Sequence, residues 1–343
     1  MVPTPRPRAS RRRRLLGAGV IFVLGVAGAI AWPPVAPPLT FPDGKKFAFT
    51  IIDDTDMATL GRLRPVYAVL EKYGLRTTKT VWVYESNQTS HPPNQGDTLQ
   101  NPEYRQFIGG LQNRGFEIAL HGVRGGNSRR EDTVAGLDDY RRILGAYPRI
   151  QINHSLNRDN LYWGRHLYAL PPLRWAAGLV IRSEFSGDDP ASDYFWGDIA
   201  QQRIQYVRRF TYSEINLWRV APQMPYHLPD MPFVNYWFPT ANGDRVIEFE
   251  ALLSDENIDR LERESGVCLV FAHLGSGSFG SAEKVDRRFE DRIRAIAARN
   301  GWFVPASQIL DFLKRQPGWT GKMSYSERIR LDLKFLAQRI GLK

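Results

Sequence analysis

The chain has 343 residues, 43% hydrophobic and 24% charged, which is enough apolar material for one large domain or two ordinary ones and excludes a disordered chain. Its formal charge of +10 invites a nucleic-acid partner, but Arg6, Arg8 and Arg11 to Arg14 precede the first acidic residue, and residues 33–343 carry 40 basic against 36 acidic side chains. No basic stripe interleaved with aromatics follows, which argues against a nucleic-acid groove.

Residues 1–14 form a basic N-terminus, and Leu15 to Trp32 is an uncharged stretch of 18 residues, about the minimum that spans a bilayer as a helix. The preceding arginines predict a cytoplasmic N-terminus, with Trp32 at the far interface and Pro33 and Pro34 ending the helix. A membrane anchor over 15–32 is therefore expected, with the folded part on the extracytoplasmic side, periplasmic or extracellular. A cleaved signal peptide is the alternative, since Ala29-Ile30-Ala31 resembles a small-residue cleavage site, although a signal core of about 7 to 15 residues would be shorter. Residues 33–44 read as a proline-rich tether lifting the domain off the membrane. The single cysteine, Cys268, lies in an apolar run, so no internal disulfide can form and a buried thiol is expected.

Strands and helices then alternate. "KKFAFTII" reads as a buried strand, "MATLGRLRPVYAVLEKYG" as an amphipathic helix and "TTKTVWVY" as a second strand. A helix near Tyr104 to Asn113, the strand "FEIALHG", the helix "DTVAGLDDYRRILGAY" and the strand "RIQINHS" follow. Residues 160–250 are irregular and rich in aromatics, Pro and Asp, which predicts long loops. The alternation resumes with "VCLVFAHLG", the helix "AEKVDRRFEDRIRAIAARN", the strand "GWFVP" and the helix "SQILDFLKRQ". Such βαβ repetition implies a parallel sheet, and about seven strands over 45–316 suit an α/β fold of the (β/α) barrel type better than an open sheet. Residues 317–343 look like an appendage. Ser324 and Glu327 form a capping-box pattern ahead of a basic amphipathic helix, expected to pack on the underside of the domain or to lie on the membrane surface.

Reacting groups of a parallel barrel sit where strands end. Asp53 and Asp54 end the first strand, His121 ends "FEIALH", His154 ends "RIQINH" and His273 ends "VCLVFAH". Imidazoles and carboxylates converging on one mouth make a nitrogen and oxygen donor set suited to a divalent transition metal, zinc above all. Asp56 reads as a helix cap, His91 and His166 as surface or packing residues, and His227 as a lining residue of the cleft.

With these residues the chain resembles the polysaccharide deacetylases of carbohydrate esterase family four, which have a distorted (β/α) barrel and remove acetyl groups from sugars with the help of a metal. The Thr-Phe-Asp-Asp-Gly motif of that family is similar to "TIIDDT", which would make Asp53 the general base and Asp54 a metal ligand. Its His-Ser/Thr-x-x-His motif is similar to "GFEIALHGVRG" and would make His121 a ligand. A strand ending Leu-x-His is similar to "LVFAH", casting His273 as general acid, and "WFVPASQILDFL" resembles the closing strand and helix. "RVAP" at Arg219 to Pro222 echoes an Arg-x-Pro motif and would bring Arg219 to the catalytic site. Two departures stand out: the second histidine of the His-x-x-x-His pair falls at Gly125, and Asp193 to Trp196 is the nearest echo of an Asp-x-x-Asp-Trp motif. His154, ending the next strand, is the expected third ligand.

The implied activity is metal-dependent removal of acetyl groups from a cell-envelope polysaccharide or oligosaccharide, with an acetylated glycan as substrate and Tyr162, Trp163, Tyr194, Trp196, Tyr236 and Trp237 as candidate stacking surfaces or core. The alternative is a glycan-binding pseudoenzyme without a metal, suggested by Gly125. A glycosidase suits the adjacent aspartates poorly, because its two carboxyls flank the bond roughly 5 to 9.5 Å apart.

Overall fold

The computed structural model describes residues 35–180, 184–339 and 341. The expected anchor over 15–32 lies outside them, and among the described residues no helix is long and apolar enough to cross a membrane.

In chain order the elements are β1 (Phe47–Asp53), α1 (Leu60–Lys72), β2 (Thr78–Val81), α2 (Pro102–Asn113), β3 (Glu117–Leu120), α3 (Arg130–Leu144), β4 (Ile150–Gln151), α4 (Pro171–Val180), α5 (Gly197–Arg203), β5 (Tyr206–Tyr212), α6 (Leu217–Val220), β6 (Tyr236–Asn242), α7 (Val246–Leu252), α8 (Asp255–Arg263), β7 (Val267–Ala272), α9 (Arg287–Ala297), β8 (Gly301–Phe303), α10 (Ala306–Lys314) and α11 (Tyr325–Arg339). All sheet pairings are parallel, in the order β2-β3-β4-β5-β6-β7-β1-β8, and a further pairing of β1 with β2 closes β1 to β7 into a barrel. The closure is uneven, since β1 meets β2 only at Ile52 and Asp53, while β8 occupies the same edge lower down at Phe47 to Phe49. Every residue of β1 is buried, as expected of a strand covered on both faces.

The expected elements on either side of the irregular region match these ranges, except that "RIQINHS" shortens to the two-residue β4 and the helix expected over 282–300 starts only at Arg287. Within that region two strands escape the sequence pattern. The strand β5 carries adjacent Arg208 and Arg209, and β6 contains Pro239. The proline has no N–H to donate and sits where the β5–β6 register skips between Arg208 and Thr211, which is how a barrel strand accommodates it.

The last helix is part of the barrel wall. The crossover from β5 to β6 holds only the four-residue α6, and α11 fills the vacant layer. Phe335 stacks on Phe210 with ring centroids 4.4 Å apart, and the Tyr212 hydroxyl donates to Leu331 O at 3.2 Å. Arg209 and Asp332 form a fully buried ion pair at 2.8 Å. The capping box does form, with Glu327 N–H donating to Ser324 Oγ and Ser324 N–H to Glu327 Oε2. The second half of the linker is likewise packed: Leu39 and Phe41 are buried, and Trp218 Nε1 donates to Pro37 O at 2.8 Å. It is a strap on the barrel there, not a free tether.

Candidate metal centre

At the C-terminal ends of β1, β3, β4 and β7, three imidazoles surround one carboxylate, and that carboxylate is Asp56. His121 Nε2 lies 2.9 Å from Asp56 Oδ2, His273 Nε2 lies 3.1 Å from the same oxygen, and His154 Nε2 lies 2.8 Å from Oδ1. Asp56 does not cap α1, whose first N–H, that of Leu60, is taken by Asp97 Oδ2. Its position depends on a tight loop: Met57 adopts φ 55°, a left-handed conformation rare for a side-chain-bearing residue, and its N–H donates to Gln95 O.

Asp53, the last residue of β1, and Asp54, the residue after it, have separate partners. Asp53 turns away from the mouth into a fully buried cluster. Its Oδ2 meets Lys79 Nζ at 3.1 Å and accepts from the Tyr67 hydroxyl, while Oδ1 accepts from Leu274 N–H at 2.8 Å. Burial pushes its carboxyl pKa up, against the opposing pull of Lys79. With both oxygens so engaged, Asp53 has no free face toward the histidines. Asp54 faces them but is gripped by Arg208 through two bonds of 3.1 and 2.7 Å. Its carboxylate forms a second potential ligand group with Asp56 and His273, while Asp56, His121 and His154 form the fully buried one.

The donor set fits a metal. Asn157 Oδ1 accepts from Gly126 N–H and Asn157 Nδ2 donates to Arg124 O, which fixes the amide orientation. His154 Nδ1 must therefore be the protonated nitrogen that donates to Asn157 Oδ1 at 2.9 Å, leaving Nε2 with its lone pair toward Asp56. That buried Nε2 makes no hydrogen bond despite its 2.8 Å approach to Oδ1. A lone pair facing a carboxylate oxygen this closely needs a cation or an added proton between them. Two imidazoles and one carboxylate are a known donor set for catalytic divalent metals.

Gly125, where the resemblance calls for a histidine, cannot hold one. A Cβ there would stand 2.5 Å from the backbone oxygen of Asn94. The second imidazole comes instead from His154 on the next strand. Arg219 is elsewhere: it pairs with Glu264 just before the start of β7, at the opposite end of the barrel from His273. Arg208 occupies the place at the mouth expected of Arg219, and only its burial in a strand could have singled it out. His227 is also remote, bonded to Asn235 O before β6 begins. Asp193 has a side chain 74% exposed, while Trp196 and Trp237 are core residues.

His273 is the most accessible member of the cluster, at 19%. Its Nδ1 lies 2.5 Å from Asp244 Oδ1. Burial lowers its pKa, but the two carboxylates Asp244 and Asp56 more than offset this and raise it to about 10. The Asp56 carboxyl is held well below the ordinary range, because His121 and its neighbours outweigh burial. Trp82, fully buried, supports the site from beneath: its Nε1 donates to His121 O, and its ring lies 6.1 Å from His121 and 5.8 Å from His154.

No family model matches the chain, and no curated protein matches it. Among solved structures, a protein from Mycobacterium smegmatis assigned as a polysaccharide deacetylase is 14% identical, with 82% of this chain and 95% of that one covered at a TM-score of 0.45. PuuE allantoinase is 12% identical, covering 83% and 96% at 0.49. A protein from Pseudomonas aeruginosa PAO1 assigned as a polysaccharide deacetylase is 12% identical, covering 83% and 96% at 0.48. Solved structures to which this chain is similar thus include proteins assigned as polysaccharide deacetylases and an allantoinase.

Proposed function

We propose that the chain is a metal-dependent hydrolase that removes acetyl groups from a cell-envelope glycan. The observation that carries this reading is the convergence of His121, His154 and His273 on Asp56, with Asp54 beside them. A divalent cation held by Asp56, His121 and His154 would supply a Lewis acid for the water and the acyl carbonyl. Asp54, oriented by its two bonds to Arg208, takes the proton of the attacking water. The water oxygen bonds to the acetyl carbon, and the C–N or C–O bond breaks. His273, held protonated by Asp244, gives its proton to the departing nitrogen or oxygen, and acetate leaves. Relative to the roles implied by the resemblance, each aspartate's task moves along the chain: Asp54 takes the place expected of Asp53, and Asp56 the place expected of Asp54.

The glycan-binding alternative draws on Gly125; His154, whose Nε2 lies 2.8 Å from Asp56 Oδ1, offers an imidazole in its place and favours the metal-dependent reading. Acetate release from acetylated glycans by protein reconstituted with one equivalent of zinc tests the reading. Turnover abolished by chelator and restored by metal is expected, and metal-loaded protein that releases no acetate would refute it.

A further inference from the structure

Two groups of possible metal ligands share a single carboxylate at the mouth of the barrel. Asp56, His121 and His154 form one, and Asp54, Asp56 and His273 form the other. Asp56 faces both at once: Oδ1 lies 2.8 Å from His154 Nε2, while Oδ2 lies 2.9 Å from His121 Nε2 and 3.1 Å from His273 Nε2. Two-metal sites hold their ions about 3.5–4 Å apart, a spacing that one carboxylate can bridge through its two oxygens. The ligand residues alone would therefore suit two cations as well as one.

The difference between the two groups is a cation that the chain itself supplies. Arg208, on β5, donates to both oxygens of Asp54, through Nη1 to Oδ1 at 3.1 Å and through Nη2 to Oδ2 at 2.7 Å. A guanidinium in a protein does not give up its charge. This one is also fixed in place, since both side chains of the pair are buried and the Phe271 ring lies 4.5 Å from the guanidinium. Phe271 in turn stands 4.9 Å from the His273 ring, so Arg208, Phe271 and His273 share one wall of the mouth. The first group has no such companion: among the described residues Asp56 pairs with the three histidines and with no lysine or arginine. Asp54 is the one carboxylate that the second group does not share with the first, and Arg208 already cancels its charge. A second divalent cation there would meet a neutralised carboxylate and a like charge that water screens poorly.

We infer that Arg208 stands in for a second cation and keeps the metal centre mononuclear. The inference rests on the metal-dependent reading above and adds to it the residue that sets the metal count. Its test is elemental analysis and electron paramagnetic resonance of the full chain in detergent, loaded with excess Mn²⁺ and dialysed. The proteins are wild type, Arg208→Lys, Arg208→Gln, Arg208→Met and the double variant Arg208→Gln/Asp54→Asn, each checked for folding by circular dichroism. Wild type and Arg208→Lys, which keeps the charge, should hold one ion per chain. Arg208→Gln and Arg208→Met should hold two, with the exchange-coupled spectrum of ions that share a ligand; having both neutral replacements keeps the test in force if one of them fails to fold. The double variant should return to one ion, because the second group has then lost its carboxylate. Two ions in wild type, or one ion in a folded Arg208→Gln or Arg208→Met protein, overturns the inference. A wild-type protein that holds one ion and releases no acetate would refute the hydrolase reading and leave the role of Arg208 standing.

Discussion

At the scale of single residues, three aspartates within four positions have three different tasks, and burial with partner chemistry separates them. Asp53 neutralises Lys79, a lysine with no exposure at all. Asp53→Ala should therefore leave a buried cation unpaired and cost about 3–5 kcal/mol in chemical denaturation. Asp54→Asn should keep the metal and lower turnover by about 10² to 10⁴, the usual worth of a general base. Asp159 offers a pH test. Burial raises its pKa to about 6, so its ionisation in the folded state opposes folding. That cost is absent below pH 4, grows between pH 4 and 6 and is complete above. Asp159→Asn, which preserves the acceptor for Ser128 N–H, should stabilise the protein by about 2–3 kcal/mol at pH 8 and by nothing near pH 3.5 in urea melts. An equal gain at both pH values would contradict it. The histidines were legible in sequence because they end apolar strands. Asp56 was not, because a residue three places beyond a strand is indistinguishable from a turn or cap until the Met57 backbone is seen.

Among the elements, β5 and α11 explain each other. Two adjacent arginines make β5 look like a loop in sequence, yet each is required: Arg208 holds Asp54 on the inside, and Arg209 meets Asp332 on the outside. The same pairing turns the C-terminal segment from an expected appendage into the layer over the β5–β6 crossover. Asp332→Ala strands Arg209 in the core and should cost about 3–5 kcal/mol. Denaturation of that variant within 1 kcal/mol of wild type would show that α11 is dispensable. The strands β1 and β7 and their helices were readable from sequence because they are long, apolar and followed by clear helix patterns. The two-residue strand β4 was readable only through the histidine that follows it.

For the whole molecule, closure of the barrel brings the ends of β1, β3 and β4 onto one candidate cation site, so a metal bound there would stabilise the domain as a unit. Free metal at 1,000 times its Kd should add about 4 kcal/mol, and chelation should lower Tm by several degrees in a calorimetric scan. An unchanged Tm on chelation would exclude a tight site. The central claim is that Asp56, not Asp54, completes the metal site with His121 and His154. Elemental analysis of protein reconstituted with zinc and dialysed tests it most directly. The expected result is one metal per chain in wild type and in Asp54→Asn and nearly none in Asp56→Ala; full occupancy in Asp56→Ala would contradict the account.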